Sequence, residues 1–283
     1  MLIGAHVSAA GGLFNAPKNA KAMGCETFQF FTRSPQGGPT PTLTPESIKA
    51  FRDACEANGF AQYATHAPYF INFASSEARI RKGSISVIRQ ELERGSALGV
   101  THLMAHLGSA KDVGDEKEAR KIVIKGLQEV LDGYKGSTRF LIEISAGAGM
   151  VIGDTFEEIA ELIDAVKVPK GRDGIGVCFD TQHAFASGYD LRTKEAVAAT
   201  VKQLDAAIGI ERVVMSHCND SKCDFNAKKD RHEHIGEGKI GAEGFHAIVN
   251  HPKLKHWLLM LETPWDGKEK DDLALLKKMR GKA

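Results

Sequence analysis

The stretch RFLIEISAGAGMVIGDTFEEIAELIDAVKVPKGRDGIGVCFDT (residues 139–181) decides the fold of this chain. It begins with the apolar run RFLIEIS (139–145) and ends with a second one, IGVCFDT (175–181). Between them, Thr155 precedes apolar residues that recur at helical spacing, so Thr155 is the predicted N-cap of a helix over 155–166. The order strand, helix, strand predicts a βαβ unit with parallel strands.

The same alternation extends in both directions along the chain. Further strands are predicted at LIGAHVS (2–8), TFQFF (27–31), QYATHAPY (62–69), HLMAHLG (102–108), VVMSHCN (213–219) and WLLMLET (257–263). Helices are predicted near residues 15–24, 45–58, 78–98, 116–132, 155–166, 193–208, 241–250 and 267–280, and Thr44 followed by Pro45 opens the second of them. Eight strands, each followed by a helix, predict an α/β fold: a single (β/α)8 TIM barrel, one catalytic domain over residues 1–283. Its active site is expected at the carboxyl ends of the strands.

The composition indicates a folded protein and excludes several other classes. Of the 283 residues, 42% are apolar and 26% are charged, which suits an ordinary globular core. The formal net charge is only +1, so phosphate binding has to come from a local patch or from bound metal. The sequence shows no secretory signal, no run approaching the roughly 18 apolar residues of a membrane span, and five cysteines without a CxxC pair. We therefore expect a cytoplasmic protein with no membrane partner.

Ionisable residues stand near the carboxyl ends of six consecutive predicted strands. They are His66, His106, Glu143, Asp180, His217 and Glu262. In a barrel these ends meet at one mouth. A charged or imidazole side chain flanked by apolar residues is costly to bury alone, and a cation at the mouth would satisfy all six together. His6 also ends a strand but has no evident partner in the sequence, so its part in the site stays open.

Three further residues of metal-binding types lie just beyond these ends. His183 follows Asp180 by three residues, and Asp230 and His232 lie in the polar loop of residues 219–241. The resulting five imidazoles and four carboxylates exceed the needs of one four-coordinate ion, so two or three ions with a bridging carboxylate are predicted. Histidine combined with carboxylate favours zinc, with manganese as the alternative at one site. Several such ions can clamp a phosphodiester and activate a water molecule.

These motifs together resemble endonuclease IV, the zinc-dependent family of apurinic/apyrimidinic-site endonucleases. The resemblance runs in order along essentially the whole chain, through IGAHVSAAGGL (3–13), HAPYFIN (66–72), AHLGS (105–109), LIEISAG (141–147), GVCFDTQHAFASGYDLRT (176–193), HCNDSK (217–222), DRHEHIGEGKIG (230–241) and LET (261–263). It implies a (β/α)8 barrel with three zinc ions. The implied reaction is hydrolysis of the phosphodiester 5′ to an abasic site, which leaves a 3′-hydroxyl and a 5′-deoxyribose phosphate.

The resemblance also implies a role for each metal-binding residue. A first zinc ion would be held by His66, His106 and Glu143. Glu143, the implied catalytic residue, would bridge to a second ion held by Asp180, His217 and Glu262. A third ion would be held by His183, Asp230 and His232. Gln182 stands where the family has a cysteine that is not a ligand, so the metal assignment is unaffected.

Contacts with DNA are expected on the loops around the mouth. The resemblance implies that Tyr69, with Phe70, enters the gap left by the missing base. Gln36 stands in the loop Arg33–Thr44 where the family has an arginine that enters the DNA stack. The loop of residues 219–241 supplies possible phosphate contacts, namely Lys222, Lys228, Lys229 and Arg231. The expected partner is double-stranded DNA containing abasic sites, bound by a monomer.

Two other functions remain open from the sequence. A metal-dependent sugar isomerase or epimerase on a similar barrel also carries histidines and carboxylates at strand ends, but around one or two ions, and the third group argues against it. A non-catalytic protein that binds damaged DNA would be expected to lose at least one ligand, whereas all nine are present. Zinc content separates the nuclease from the isomerase, because about three ions per chain favour the nuclease.

Overall fold

The computed structural model describes residues 1–168 and 173–281, and it confirms the predicted barrel. Its strands are β1 (Leu2–His6), β2 (Phe28–Phe30), β3 (Ala64–His66), β4 (His102–Ala105), β5 (Arg139–Glu143), β6 (Gly176–Cys178), β7 (Val213–His217), β8 (Asp220–Ser221), β9 (His232–Glu233) and β10 (Leu258–Leu261). Strands β1 to β7 pair in parallel with their neighbours in chain order, and β10 closes the barrel between β7 and β1. Strands β8 and β9 form a separate antiparallel hairpin.

The helices lie where the sequence predicts them, with one addition. They are α1 (Asn15–Met23), α2 (Pro45–Asn58), α3 (Ala78–Leu98), α4 (Glu116–Leu131), α5 (Phe156–Ala165), α6 (Thr181–Ser187), α7 (Lys194–Ala207), α8 (Gly241–Asn250) and α9 (Glu269–Arg280). Thr155 caps α5 as predicted, because its hydroxyl accepts the backbone N–H of Glu158 at 3.2 Å. None of the helices in the two described ranges is both long and apolar enough to cross a membrane.

Helix α6 was not predicted, since the residues after Asp180 were expected to form a loop. The Asp180 carboxylate accepts the backbone N–H of His183 at 2.8 Å and thereby caps a short helix. Gly188 ends that helix in the left-handed conformation, at φ 108°. The cap therefore fixes His183 in the first turn, directly beside the strand end that carries Asp180.

The core has two parts, one inside the barrel and one between the strands and the helices. The barrel interior is filled by Ala64, Met104, Leu141, Cys178, Met215, Leu258 and Met260. Larger aromatic and branched side chains, such as Phe28, Phe51 and Trp257, pack outside the strands against the helices. Because apolar side chains fill the barrel interior, polar side chains at the carboxyl ends of the strands form a layer above it.

Candidate metal centre

The carboxyl ends of the strands bring the six predicted strand-end residues together. His66, Glu143 and His217 are the last residues of β3, β5 and β7. Three others follow their strands within two residues, namely His106 after β4, Asp180 after β6 and Glu262 after β10. Three sets of side chains can each place one ligand atom per residue within 4.8 Å of one another. These sets are His66–His106–Glu143, Glu143–Asp180–His217–Glu262 and Asp180–His183–His232.

Glu143 lies at the centre of the cluster and is fully buried. Its Oε2 atom is 3.3 Å from Nε2 of both His66 and His106, whereas its Oε1 atom is 2.7 Å from Nδ1 of His217. Burial alone would raise the pKa of this carboxyl group, but His106 and His217 lower it well below its ordinary value. The two oxygens thus face different sets, which is the arrangement that a bridging carboxylate requires.

The middle set joins three more residues to Glu143. His217 Nδ1 lies 3.3 Å from Glu262 Oε2 and 3.8 Å from Asp180 Oδ2. Burial opposes ionisation of Glu262, yet the charge of His217 and the other neighbouring histidines lower its pKa. The set is therefore acidic, with three carboxylates around one imidazole.

The third set lies beside Asp180. Nε2 of His183 and Nε2 of His232 are each 3.3 Å from an oxygen of Asp230. Asp180 Oδ2 is also 3.8 Å from His232 Nε2, so Asp180 adjoins both the middle and the third set. Burial lowers the pKa of His183, but Asp180 and Asp230 outweigh burial and raise that pKa to about 10. Burial raises the pKa of Asp230, but His183 outweighs burial and lowers that pKa to about 2.

The histidine rings are oriented by bonds outside the cluster. Nδ1 of His66, His183 and His232 each lies within hydrogen-bond distance of a backbone carbonyl, at 2.6, 3.0 and 2.9 Å. A ring that donates Nδ1–H in this way presents the lone pair of Nε2 to the cluster, as ligand histidines commonly do. In the described part of the chain, Glu143 Oε2, His183 Nε2 and His232 Nε2 are buried without a hydrogen-bond partner. These unpaired atoms fit zinc, whose usual ligand atoms include imidazole nitrogen and carboxylate oxygen.

Two buried amides support the centre and were missed by sequence reasoning. Gln29 accepts a hydrogen bond from His217 and donates to Glu262, and Asn219 donates to Asp180 Oδ2 at 2.8 Å. Both are fully buried. The signal was present in TFQFF (27–31) and VVMSHCN (213–219), where a polar amide interrupts or ends an apolar strand. His6, whose part in the site the sequence leaves open, lies beside the centre, with its Nδ1 3.5 Å from Glu262 Oε1.

The segment that carries Asp230 is held down by one buried carboxylate, that of Asp220. Its oxygens accept backbone N–H groups from Ser221, Gly236, Gly238, Ile240 and Gly241 at 2.7–3.1 Å. Gln182 adds a hydrogen bond to the carbonyl of Lys229 at 2.9 Å. The backbone of Lys229, directly before Asp230, is therefore held by Gln182 of α6, and these hydrogen bonds determine the path of the long polar loop.

A cavity of about 1210 Å³ opens above the cluster. Residues of the centre, including His66, His106 and Glu262, form its floor, and Tyr69 and Trp265 are part of its lining. Both aromatic side chains are largely exposed, at 66% and 63%. Exposed aromatic groups gathered beside a polar site mark a surface for recognition.

Comparison with known proteins gives a consistent assignment. The family model described as xylose isomerase-like TIM barrel matches residues 17–279. A probable endonuclease 4 of Methanoculleus marisnigri is 38% identical over 99% of both chains, and one of Chlorobium phaeobacteroides is 38% identical over 97% of this chain and 96% of its own. The crystal structure of endonuclease IV from Thermus thermophilus superposes with a TM-score of 0.87 at 31% identity, covering 99% of this chain and 98% of that one. The chain belongs to the endonuclease IV family.

Sugar epimerases share the barrel fold of this chain. A D-tagatose 3-epimerase-like protein has a TM-score of 0.74 at 21% identity, covering 99% of this chain and 97% of its own. That likeness establishes a common fold only. The probable endonuclease 4 relatives, at 38% identity, match along nearly the whole length of the chain.

The loop Arg33–Thr44 is fixed against α3. Arg33 Nε lies 2.6 Å from Oε1 of Glu91, which is fully buried, and Arg94 donates to the carbonyl and hydroxyl of Thr32, directly before the loop. Arg33 is thus engaged inside the protein and does not point to solvent. Gln36 is exposed.

The neighbouring loop presents the predicted aromatic residues. Tyr69 and Phe70 are exposed, and the backbone N–H of Tyr69 donates to the carbonyl of Pro35 at 3.1 Å. The Tyr69 ring meets Phe31 edge-on, with centroids 5.4 Å apart. The two loops therefore contact each other, and the Tyr69 ring lies against Phe31 at the edge of the cavity.

The basic residues of the long loop fall into two groups. Lys222, Lys229 and Arg231 are exposed, and Lys222 has only a loose ion pair, with Nζ 4.0 Å from Glu233 Oε2. Lys228 is different, because its Nζ donates to the carbonyl of Ser187 at 3.1 Å and its backbone has a positive φ of 54°. Lys228 is thus engaged within the protein. Arg231 also donates to a backbone carbonyl, that of Asp230, at 2.6 Å, but it is exposed to solvent, as are Lys222 and Lys229.

Proposed function

We propose that this chain is a DNA-repair endonuclease that hydrolyses the phosphodiester 5′ to abasic sites in duplex DNA, with three zinc ions. The products are a 3′-hydroxyl and a 5′-deoxyribose phosphate. The proposal includes a single catalytic domain over residues 1–283, a monomeric protein and a cytoplasmic location. The names of its relatives in Methanoculleus and Chlorobium, both probable endonuclease 4, support the reaction class.

The observation that carries the proposal is the sharing of carboxylates between adjoining sets. Glu143 belongs to the first and middle sets, and Asp180 belongs to the middle and third. Isolated metal sites do not need shared ligands, whereas ions that act on one phosphate have to lie close together. The nine predicted residues would hold these ions, with Asp230 completing the third set. Manganese in place of zinc at one site is compatible with the donors.

The reaction exchanges one bond at phosphorus for another. The oxygen of a water molecule bonds to phosphorus, the bond from phosphorus to the 3′-oxygen breaks, and a proton passes to that oxygen. Bound zinc ions would neutralise phosphate charge and lower the pKa of water. The chain itself orients the ligand rings through backbone carbonyls and excludes bulk water from Glu143 by complete burial.

Recognition of the abasic site is assigned to the cavity edge. Tyr69, with Phe70 beside it, offers an exposed ring to the gap in the base stack, where base–aromatic stacking contributes about 1–3 kcal/mol. Lys222 and Arg231 are exposed and can approach phosphates, and Gln36 is the uncharged group in the adjacent loop. Because an abasic nucleotide has no base to unstack, it enters the cavity more readily than an intact one.

The deciding experiment uses a duplex oligonucleotide with one stable abasic analogue. Zinc-loaded protein should cut once, 5′ to the analogue, leave the undamaged duplex intact, and lose activity with a strong chelator. Borohydride should trap no covalent adduct on a natural abasic site, because hydrolysis forms no Schiff base. A trapped adduct, or cutting that resists the chelator, would contradict the mechanism. Zinc analysis of the same sample separates the epimerase alternative, for which one or two ions are expected.

A further inference from the structure

We propose that Gln29 is a positioning residue of the metal centre, which selects the nitrogen of His217 and the oxygen of Glu262 that face the middle set. The inference rests on the proposed function for its metal, but not on the reaction. Gln29 lies in the middle of β2, fully buried, paired with His6 of β1 and Ala64 of β3. Its side chain reaches residues at the ends of β7 and β10, neither of which adjoins β2 in the sheet.

The side-chain amide of Gln29 makes three short contacts. Its Oε1 atom lies 2.8 Å from His217 Nε2. Its Nε2 atom lies 2.6 Å from Glu262 Oε1 and 2.9 Å from His6 Nδ1. Among these atoms Glu262 Oε1 can only accept, so the amide nitrogen has to face it. A flipped amide would set two acceptor oxygens 2.6 Å apart, and the orientation of Gln29 is therefore determined by chemistry.

This orientation determines the tautomer of His217. Because the amide oxygen of Gln29 accepts, Nε2 of His217 must carry a hydrogen and donate it. Nδ1 then faces the cluster, 2.7 Å from Glu143 Oε1 and 3.3 Å from Glu262 Oε2. Three other histidines of the centre are held the opposite way, with Nδ1 at a carbonyl and Nε2 inward. A side-chain acceptor at Gln29 is thus what lets His217 bind through Nδ1.

The Gln29 amide also gives the two oxygens of Glu262 different partners. Oε1 is held by Gln29, so Oε2 is the oxygen that faces His217 and the middle set. Two of the four members of that set are therefore oriented by one uncharged group. Outer partners of this kind commonly change metal affinity by about 10- to 100-fold. We expect the effect of Gln29 to be confined to the ion of the middle set.

The test compares Gln29→Leu with Thr65→Val. Leucine is of similar size but removes both the acceptor and the donor. Thr65 lies on the adjacent strand β3, is fully buried, and its hydroxyl has no hydrogen-bond partner in the described part of the chain, so valine removes a buried polar group without breaking a bond. Zinc per chain is measured by elemental analysis, and affinities by competition with a chromogenic chelator. Folding is checked by circular dichroism.

The expected result is that Gln29→Leu weakens one zinc ion by about 10- to 100-fold, while Thr65→Val binds zinc as the parent does. Ring-nitrogen NMR of the zinc-loaded protein should show one histidine bound through Nδ1 in the parent, and that signal should be lost in Gln29→Leu. Three zinc affinities within about twofold of the parent, with an unchanged Nδ1 signal, would overturn the proposal.

A second variant decides the question if Gln29→Leu does not fold. Gln29→Glu keeps the shape and the acceptor for His217 but sets a carboxylate oxygen against Glu262 Oε1. It should keep the Nδ1 signal and still weaken one zinc ion; unchanged affinity would overturn the proposal. The readout is zinc, not incision. A parent that binds zinc but does not cut abasic DNA would therefore contradict the proposed function alone, and the Gln29 result would still stand or fall by itself.

Discussion

Replacing Glu143 with glutamine should remove more metal and more activity than the same replacement at Glu262. The two oxygens of Glu143 serve different sets: Oε2 lies 3.3 Å from His66 and His106, and Oε1 lies 2.7 Å from His217. Glu262 offers only Oε2 to the middle set, since Gln29 holds Oε1 at 2.6 Å. A glutamine keeps one oxygen, but its NH2 end cannot bind a cation. Glu143→Gln therefore damages two sets and Glu262→Gln one.

The size of the difference follows from the number of ions affected. Losing one preorganised electrostatic group in an active site typically lowers kcat by about 10²–10³. Glu262→Gln should therefore fall within that range and lose about one zinc ion, whereas Glu143→Gln should lose about two ions and lower kcat by more than about 10³. In free energy the loss in Glu143→Gln is more than about 4 kcal/mol of transition-state stabilisation.

The assay combines zinc analysis of purified variants with single-turnover incision of a duplex that carries an abasic analogue. Glu26→Gln is the matched control, because it removes a carboxylate that pairs with Arg280 at 2.7 Å and lies before β2, at the opposite end of the barrel. That control should keep its zinc and its incision rate. Equal and mild losses in Glu143→Gln and Glu262→Gln would show that Glu143 does not bridge.

Four further outcomes are expected. Tyr69→Ala should reduce the preference for abasic over intact duplex by about 10- to 100-fold in binding titrations, with zinc content unchanged; equal weakening on both duplexes would make Tyr69 a general contact. Arg231→Ala should lower the salt slope of DNA binding by about one, whereas Lys228→Ala should leave it unchanged, because that ammonium group is engaged within the protein; the reverse would assign the phosphate contact to Lys228. Asp220→Ala should lower the free energy of unfolding by at least about 2 kcal/mol, since it leaves buried N–H groups unpaired; an unchanged denaturation midpoint would contradict that role. The pKa of His183 is about 10 without metal, so this histidine is protonated at neutral pH and must lose its proton when zinc binds. Zinc affinity should therefore rise about tenfold per pH unit for each proton released, up to that pKa. A zinc affinity that stays constant from about pH 7 to about pH 9 would refute this.

The barrel and the members of the centre could be predicted from sequence because the two problems share one geometry. Parallel strands of a barrel end at one mouth, so residues such as His66 and Glu143, remote in sequence, are neighbours once the strands are assigned. The short charged interruption of an apolar run is visible without any structure. Helix caps at Thr155 and Thr44 were equally local, and both are confirmed.

The contacts that depend on side-chain direction could not be predicted. Asp180 caps α6 and also adjoins two sets, and nothing in the string Asp-Thr-Gln-His indicates both roles. Gln29 is an interior strand residue, and period-two alternation leaves open whether it faces the helices or the mouth. The path of the loop after β2 was equally hidden, because Glu91 of a distant helix holds Arg33 inside. Each of these contacts depends on the packing of elements that are remote in sequence.

The metal centre would explain how a chain with a near-neutral net charge attracts its proposed polyanionic substrate. The centre contains four carboxylates. Those of Glu143, Asp180 and Glu262 lie 2.7–3.8 Å from Nδ1 of His217, and that of Asp230 lies 3.3 Å from Nε2 of His183. In the loaded centre they would offset four of the six charges of three divalent ions and leave an excess of two positive charges at the floor of the cavity. A concave site of this kind focuses the field outward and attracts phosphate without a basic surface. The ions that activate the reaction would therefore also attract its substrate to a chain whose net charge is only +1.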